Sequence, residues 1–330
     1  MNFATIGYIF DIEPKSIYCW YRNQLSGFAQ ELATGEFHQY DQKHSDGSVL
    51  PVPILNPDNV GKSMVIDEKL INDEVYTILS NRETGKIALL AQTIQMNELT
   101  NLTQYFGLAF NKVQYINSDM APVFIKYCKE SFPQALHTAD KFHVLSQVFD
   151  TMQAVRMRLK NDELQKLPAK KDRRKLDEKQ KEQIKTIEAK IDMLARCKYL
   201  LFKSAKQWKQ WQQQRAQILF AAFPDLHKAY KLVELLRDWY DRKNVGKSFF
   251  SIENKLLQWI ENVEYANIAE MKGLVKMFEK HFDSILNYCF TGQSNAMAEN
   301  INSRIQRFIN VNYGVRDENF FFFRLKNYYS

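Results

Sequence analysis

The chain has 330 residues, 45% of them hydrophobic and 25% charged, with 45 Lys/Arg against 38 Asp/Glu for a net charge of +7. That is a globular composition with room for one large domain or two ordinary ones. It holds no apolar run near the roughly 18 residues of a membrane span and no basic-then-apolar secretory leader. Its four cysteines, Cys19, Cys128, Cys197 and Cys289, are scattered without a Cys-x-x-Cys pair, which excludes a zinc knuckle or disulfide framework and fits a reducing cytoplasm.

The charge is uneven. Residues 1–150 carry 11 Lys/Arg against 17 Asp/Glu, and residues 151–330 carry 34 against 21. An acidic half joined to a basic half points to a metal-binding centre beside a surface for a polyanion; the plainer reading is a solvated, highly charged helical region.

In chain order, residues 4–26 read as two short helices around Asp11-Ile-Glu-Pro14, with Ile6, Ile9, Ile17 and Trp20 spaced to share a small core. This spacing suits a partial helix-turn-helix, domain 1–26. Residues 27–60 are polar, with Gly35, Gly47, Pro51, Pro53 and Pro57, and read as a linker holding at most a strand or two. From Ser63 the pattern sharpens: strands at 63–70, 75–80 and 86–93, a helix at 96–110, a strand at 113–118, a helix at 121–131, a strand at 135–138 and a long helix from Phe142. The order βββαβαβα predicts a mixed sheet with helices on its faces. Residues 142–290 look almost wholly helical. Val144, Val148, Met152, Val155 and Leu159, then Ile184, Ile187, Ile191 and Leu194, recur at helical spacing and suggest an antiparallel hairpin. Ser294 caps a further helix, and Phe320-Phe-Phe-Phe-Arg-Leu325 docks a closing one.

Three acidic residues stand out against this pattern. Asp67 ends the run from Ser63, Asp119 ends the run from Val113, and Glu299 lies in the late helix. A carboxylate at the end of a buried strand cannot stay in the core unpaired. Three brought together repel one another and call for a divalent cation, and carboxylates around two metal ions are a common device for cutting phosphodiesters. Glu68 adjoins Asp67 on the opposite strand face, so only one of them can face a metal.

The runs Asn117-Ser-Asp-Met-Ala-Pro-Val-Phe124, Phe132-Pro-Gln-Ala135 and Ala139-Asp-Lys-Phe-His-Val144, with Ser294-Asn-Ala-Met-Ala-Glu-Asn-Ile-Asn302, Arg304, Arg307 and Asn312-Tyr-Gly314, resemble bacterial insertion-sequence DDE transposases of the ISL-three type over roughly residues 63–325. The resemblance implies an α/β fold, a ribonuclease-H-like mixed sheet interrupted by a long all-helical insertion. The core would span 61–145 and 291–330, and the insertion 146–290. It further implies metal-dependent cleavage at the ends of the element and strand transfer into target DNA. Asp67, Asp119 and Glu299 would hold two Mg²⁺ (or Mn²⁺) ions. The implied partner is double-stranded DNA, with homo-oligomers forming on it, no membrane, and a cytoplasmic, nucleoid-associated location. Relatives of this type carry more N-terminal DNA-binding sequence, which raises a separate N-terminal polypeptide or a truncated copy.

Asp140 and His143 form an Asp-x-x-His pair before the long helix. His143 suits a phosphate contact or the orientation of a carboxylate, Asp140 competes with Asp119 as a metal ligand, and the plainer reading of both is a hydrogen-bonded turn. Arg304 and Arg307 would project toward a phosphate backbone, as would the basic cluster Lys170, Lys171, Arg173 and Arg174. Trp208 and Trp211, near Arg215, could stack on an unpaired base, although such tryptophans more often pack helices together. Two other functions stay open at this level: an inactive or repurposed DNA-binding relative, and a ribonuclease-H-like nuclease that cuts without joining.

Overall fold

The computed structural model describes residues 3–169, 177–311 and 315–329. It divides the chain into two units, Met1–Asp140 with Gln293–Ser330, and Lys141–Gly292. The first unit opens with α1 (Phe3–Phe10), α2 (Pro14–Trp20) and α3 (Phe28–Thr34), followed by a small hairpin of β1 (Gln42–Lys43) and β2 (Val49–Leu50). Then come β3 (Ile54–Leu55), β4 (Ser63–Ile71), β5 (Glu74–Asn81), β6 (Ile87–Ala91), α4 (Met96–Thr103), β7 (Tyr115–Ser118), α5 (Pro122–Ser131) and β8 (Leu136–Ala139). Six of these strands form one mixed sheet in the order β3-β6-β5-β4-β7-β8. Asn72 and Asp73, with φ of 52° and 65°, make the two-residue left-handed turn that suits the twist of the β4–β5 hairpin. The αβ crossovers then bring β7 parallel to β4, and β8 parallel to β7.

The expected order from Ser63 is the observed one, with three corrections. The helix expected over 96–110 stops at Thr103 and continues as irregular 3-10 turns to Lys112, because Gly107 leaves helical geometry at φ 50°. Residues 27–60 are not a linker: Phe28 is fully buried and β3 extends the sheet against β6. The first two helices do not build the expected core either. Ile9 is 55% and Trp20 49% exposed. The pair is instead pinned by Phe3 and Tyr18, the latter packed edge-on against Phe320. Gly7 lies where a Cβ would come within 2.5 Å of the Ile12 carbonyl oxygen, so the turn requires glycine.

The second unit is helical: α6 (Lys141–Gln165), α7 (Glu178–Arg196), α8 (Lys198–Phe202), α9 (Gln210–Ala222), α10 (Pro224–Trp239), α11 (Phe249–Ala266), α12 (Lys272–Lys280), α13 (Phe282–Leu286) and α14 (Tyr288–Thr291). Val144, Val148, Met152 and Val155 are buried on α6 as their spacing requires. The α7 helix packs along α6, with the buried Arg156 guanidinium donating to the Leu194 carbonyl at 2.7 Å. Asp177 and Gln180 close a capping box at the start of α7.

The chain re-enters the first unit through α15 (Ala296–Val311) and ends in α16 (Glu318–Tyr329). One face of the large sheet, with Met64, Ile66, Leu79 and Ile116, is covered by Leu99 and Leu102 of α4 and Phe124 and Tyr127 of α5. The other, with Ile71, Tyr76, Ile78 and Ile87, is covered by Ile301 and Ile305 of α15, by α3, and by all four phenylalanines of the 320–323 run. Each of those rings contributes about 1.5–3 kcal/mol by leaving water.

Burial also orders the thiols. Cys19 is exposed, and the other three cysteines are buried. Burial pushes Cys197 up to about 11 and Cys289 to about 12, and raises Cys128 further. Thiolate is the reactive form, so a chromogenic disulfide reagent should consume one thiol quickly in the native protein and the other three only on unfolding. A second fast thiol would contradict the packing.

Candidate active site

Strand alternation sets the site. Met64 and Ile66 belong to the core under α4 and α5, and Ile71 to the core under α15. The odd-numbered residues of β4 therefore face α15. The parallel pairing of β4 with β7 ends at Val65 and Asn117. That of β7 with β8 ends at Ser118 and Ala139. Counted on from those last pairs, the three aspartates fall at matching sequence positions, two residues past the end of the β4–β7 pairing and one past the end of the β7–β8 pairing.

Their environments differ. Asp67 does not end its strand: β4 runs on to Ile71 because β5 keeps pairing with it, Asp67 opposite Ile78, after the pairing with β7 stops at Val65. Asp67 is half-buried, and its Oδ2 accepts a 2.8 Å hydrogen bond from Nδ2 of Asn302 on α15. Asp119 is half-buried at the β7–α5 junction, where Oδ1 accepts from the Ala121 backbone N–H at 2.9 Å. It caps that turn while Pro122 opens the helix. Below it, burial raises the Cys128 thiol, and the Asp119 charge adds to the effect.

Asp140 is fully buried. Its Oδ1 accepts from the Asn295 backbone N–H at 3.0 Å, at the mouth of α15. A carboxylate there satisfies an orphan N–H and complements the helix dipole. This bond reaches across the sequence to α15 and is not the local turn before α6 that the sequence suggests. His143 lies in the second unit, exposed on the first turn of α6.

Helix α15 advances about 100° per residue, so Asn295, Glu299, Asn302 and Gln306 share a face. That face meets β4: besides Asn302 on Asp67, Gln306 accepts from Lys69 Nζ at 2.9 Å. Glu299 is exposed, one turn before Asn302. Arg304 and Arg307 do not extend this face as expected. They lie on the opposite side of the helix with Asn300 and Val311, and both line a cavity against α16.

Trp208 packs inside the second unit, its ring stacked on Tyr230 at 5.1 Å and its indole N–H donating to the Leu200 carbonyl at 3.1 Å. Trp211 is 53% exposed on α9, as is Arg215. Lys170, Lys171, Arg173 and Arg174, and the Asn312-Tyr-Gly314 signature, lie outside the described residues.

Sequence reading missed a polar layer beneath α15. Ser63 Oγ donates to Gln293 Oε1 at 2.9 Å, while the side-chain amides of Asn117 and Asn295 are buried with no protein partner. The available signal was Asn117 itself, a polar residue facing inward on a short parallel strand.

Among the described residues no three His, Cys, Asp or Glu side chains are gathered closely enough to hold a metal. The donors that do converge are oxygens, which suits a hard divalent cation. Asp67 and Asp119 fall at matching positions past the end of the β4–β7 pairing, and Asn302 Oδ1, on the amide bound to Asp67, is a buried acceptor without a hydrogen-bond partner.

The class of the protein comes from its family rather than from these carboxylates. A family model described as a transposase, of the ISL-three DDE type, matches residues 64–325. The chain belongs to that transposase family, and its partner is accordingly DNA. Neither the curated proteins nor the solved structures contain a match to the chain. Among the described residues no helix is long and apolar enough to cross a membrane.

Proposed function

We propose that this transposase has a ribonuclease-H-like core that cuts DNA at the ends of its element and joins the freed 3′-hydroxyl to target DNA, using Asp67, Asp119 and Glu299 with two Mg²⁺ or Mn²⁺ ions. The observation that carries the reading is Asn302 of α15 bound to Asp67 on β4, with Asp119 directly after the neighbouring parallel strand β7. The antiparallel β6-β5-β4 half followed by parallel β7 and β8 supports the fold assignment. When bound, the cations supply Lewis acidity at the scissile phosphate, for the attacking oxygen and for the leaving one. Asp67 and Asp119 hold them from the sheet, and Glu299 completes the set by turning its exposed side chain toward the same face. Asn302 fixes the Asp67 carboxylate, which aligns a ligand before DNA arrives. Asp140 anchors the start of the helix that carries Glu299.

The test is product analysis with the DNA flanking the native locus and Mg²⁺ or Mn²⁺. Cut and joined products are expected, with both lost in EDTA. Cut ends without joined strands would replace this reading with a nuclease, and binding without cutting would replace it with a DNA-binding relative. DNA affinity should also fall steeply as salt rises. Asn302→Ala should raise the metal concentration for half-maximal cutting by about ten- to a hundredfold. An unchanged metal requirement would remove Asn302 from the site.

A further inference from the structure

The face of α15 opposite Asn302 borders a cavity of about 500 Å³ lined by Arg304 and Arg307 of α15, Arg324, Tyr328 and Tyr329 of α16, and Tyr21. That volume is within the range of small-molecule sites. Among the described residues its lining has three guanidinium groups and no carboxylate, and neither Arg304 nor Arg307 forms a salt bridge to an acidic side chain. Two of the three guanidiniums are held by rings: Arg304 lies over Tyr329 at 4.6 Å, and Arg324 over Phe308 at 4.8 Å and Phe320 at 5.6 Å. Burial lowers the Arg324 pKa, a sign that the guanidinium has given up part of its hydration. Planar guanidiniums held in this way favour a phosphate group.

Rings lie at the rim as well. Tyr328 is 68% exposed and Tyr21 is 37% exposed, so each offers a surface to a flat partner. Arg304 also lines a second cavity of about 370 Å³, with Arg82, Gly85, Met297 and Asn300. Cavities on both sides of one arginine suit a chain of phosphates better than a free nucleotide.

We propose that the cavity between α15 and α16 is a binding site for an unpaired nucleotide of single-stranded DNA, its phosphate held by Arg304, Arg307 and Arg324 and its base stacked on Tyr328. The choice of DNA rests on the transposase reading; the pairing of guanidiniums with open rings does not. A duplex phosphate alone would leave the rings unused. An unpaired base gains from them whatever its sequence. The site lies on the side of α15 away from Asp67, so it holds DNA apart from the carboxylates.

Fluorescence anisotropy of the full chain in EDTA tests this with three labelled DNAs: a blunt duplex, the same duplex with a thymidine 3′ tail, and one with an abasic tail. The thymidine tail should bind about tenfold more tightly than the abasic tail. Tyr328→Ala should erase that difference, Tyr328→Phe should keep it, and Arg307→Ala should weaken both tails. Equal binding of the two tails by the wild type, a preference that survives Tyr328→Ala, or no binding of tailed DNA would each overturn the proposal. Tail preference in a protein that cuts nothing in Mg²⁺ would keep the site and remove the catalytic reading. Cutting without tail preference would do the reverse.

Discussion

Asp119→Asn should lower metal-dependent cutting by roughly a thousandfold or more while leaving the fold nearly as stable as the wild type. The carboxylate has two separable roles. Its Oδ1 accepts the Ala121 N–H, a turn contact that an asparagine amide oxygen can keep. In the proposed mechanism its charge would help hold a cation where negative charge develops on the leaving oxygen, which an asparagine cannot do. Electrostatic stabilisation of that kind is commonly the largest single contribution to such a reaction. Asp119→Ala should remove both roles, with an additional loss of about 1 kcal/mol from the turn. Comparing the two variants by cutting rate and by thermal unfolding separates chemistry from capping. Cutting by Asp119→Asn within tenfold of wild type would mean that the cations, if any, are held elsewhere.

Much of this architecture was legible from Ser63 onward because each element buries one face of a sheet or helix, and burial writes a period of two or 3.6 into the sequence. Val144 to Val155 and the 320–323 phenylalanines are of that kind. The N-terminal segment was misread because its packing is not local. Ile9 and Trp20 have the spacing of a small core, but Tyr18 and Phe28 find their partner in Phe320 of α16, at the far end of the chain. The strand expected over 63–70 already contained Asp67, which ends only its apolar run. Pairing with β5 carries β4 on to Ile71 after its parallel neighbour has stopped. At the site, the stripe of Asn295, Glu299 and Asn302 could be read from helical spacing alone. That Asn302 is the residue on Asp67, and that Arg304 and Arg307 face the other way, depends on how α15 is rotated over the sheet. The large apolar residues Ile301 and Ile305 fix that rotation by burying themselves.

Asp140→Ala should destabilise the protein by about 2–4 kcal/mol, whereas Asp140→Asn should fold and cut within about tenfold of wild type. Asp140 is fully buried and accepts from the Asn295 N–H at the first turn of α15. It closes the two points at which the chain leaves and re-enters the first unit. Alanine leaves that N–H without its acceptor in a layer where the Asn117 and Asn295 amides already lack protein partners, so the cost of an unmade bond falls in full. Asparagine restores an oxygen at the same place and forgoes the interaction of a charge with the helix dipole. A metal ligand behaves differently: removing the charge should abolish cutting even where the fold survives. Chemical denaturation and cutting rate, measured on both variants, distinguish the roles. Loss of cutting in a stable Asp140→Asn protein would move Asp140 from the helix anchor to the metal set, making all three aspartates the catalytic group.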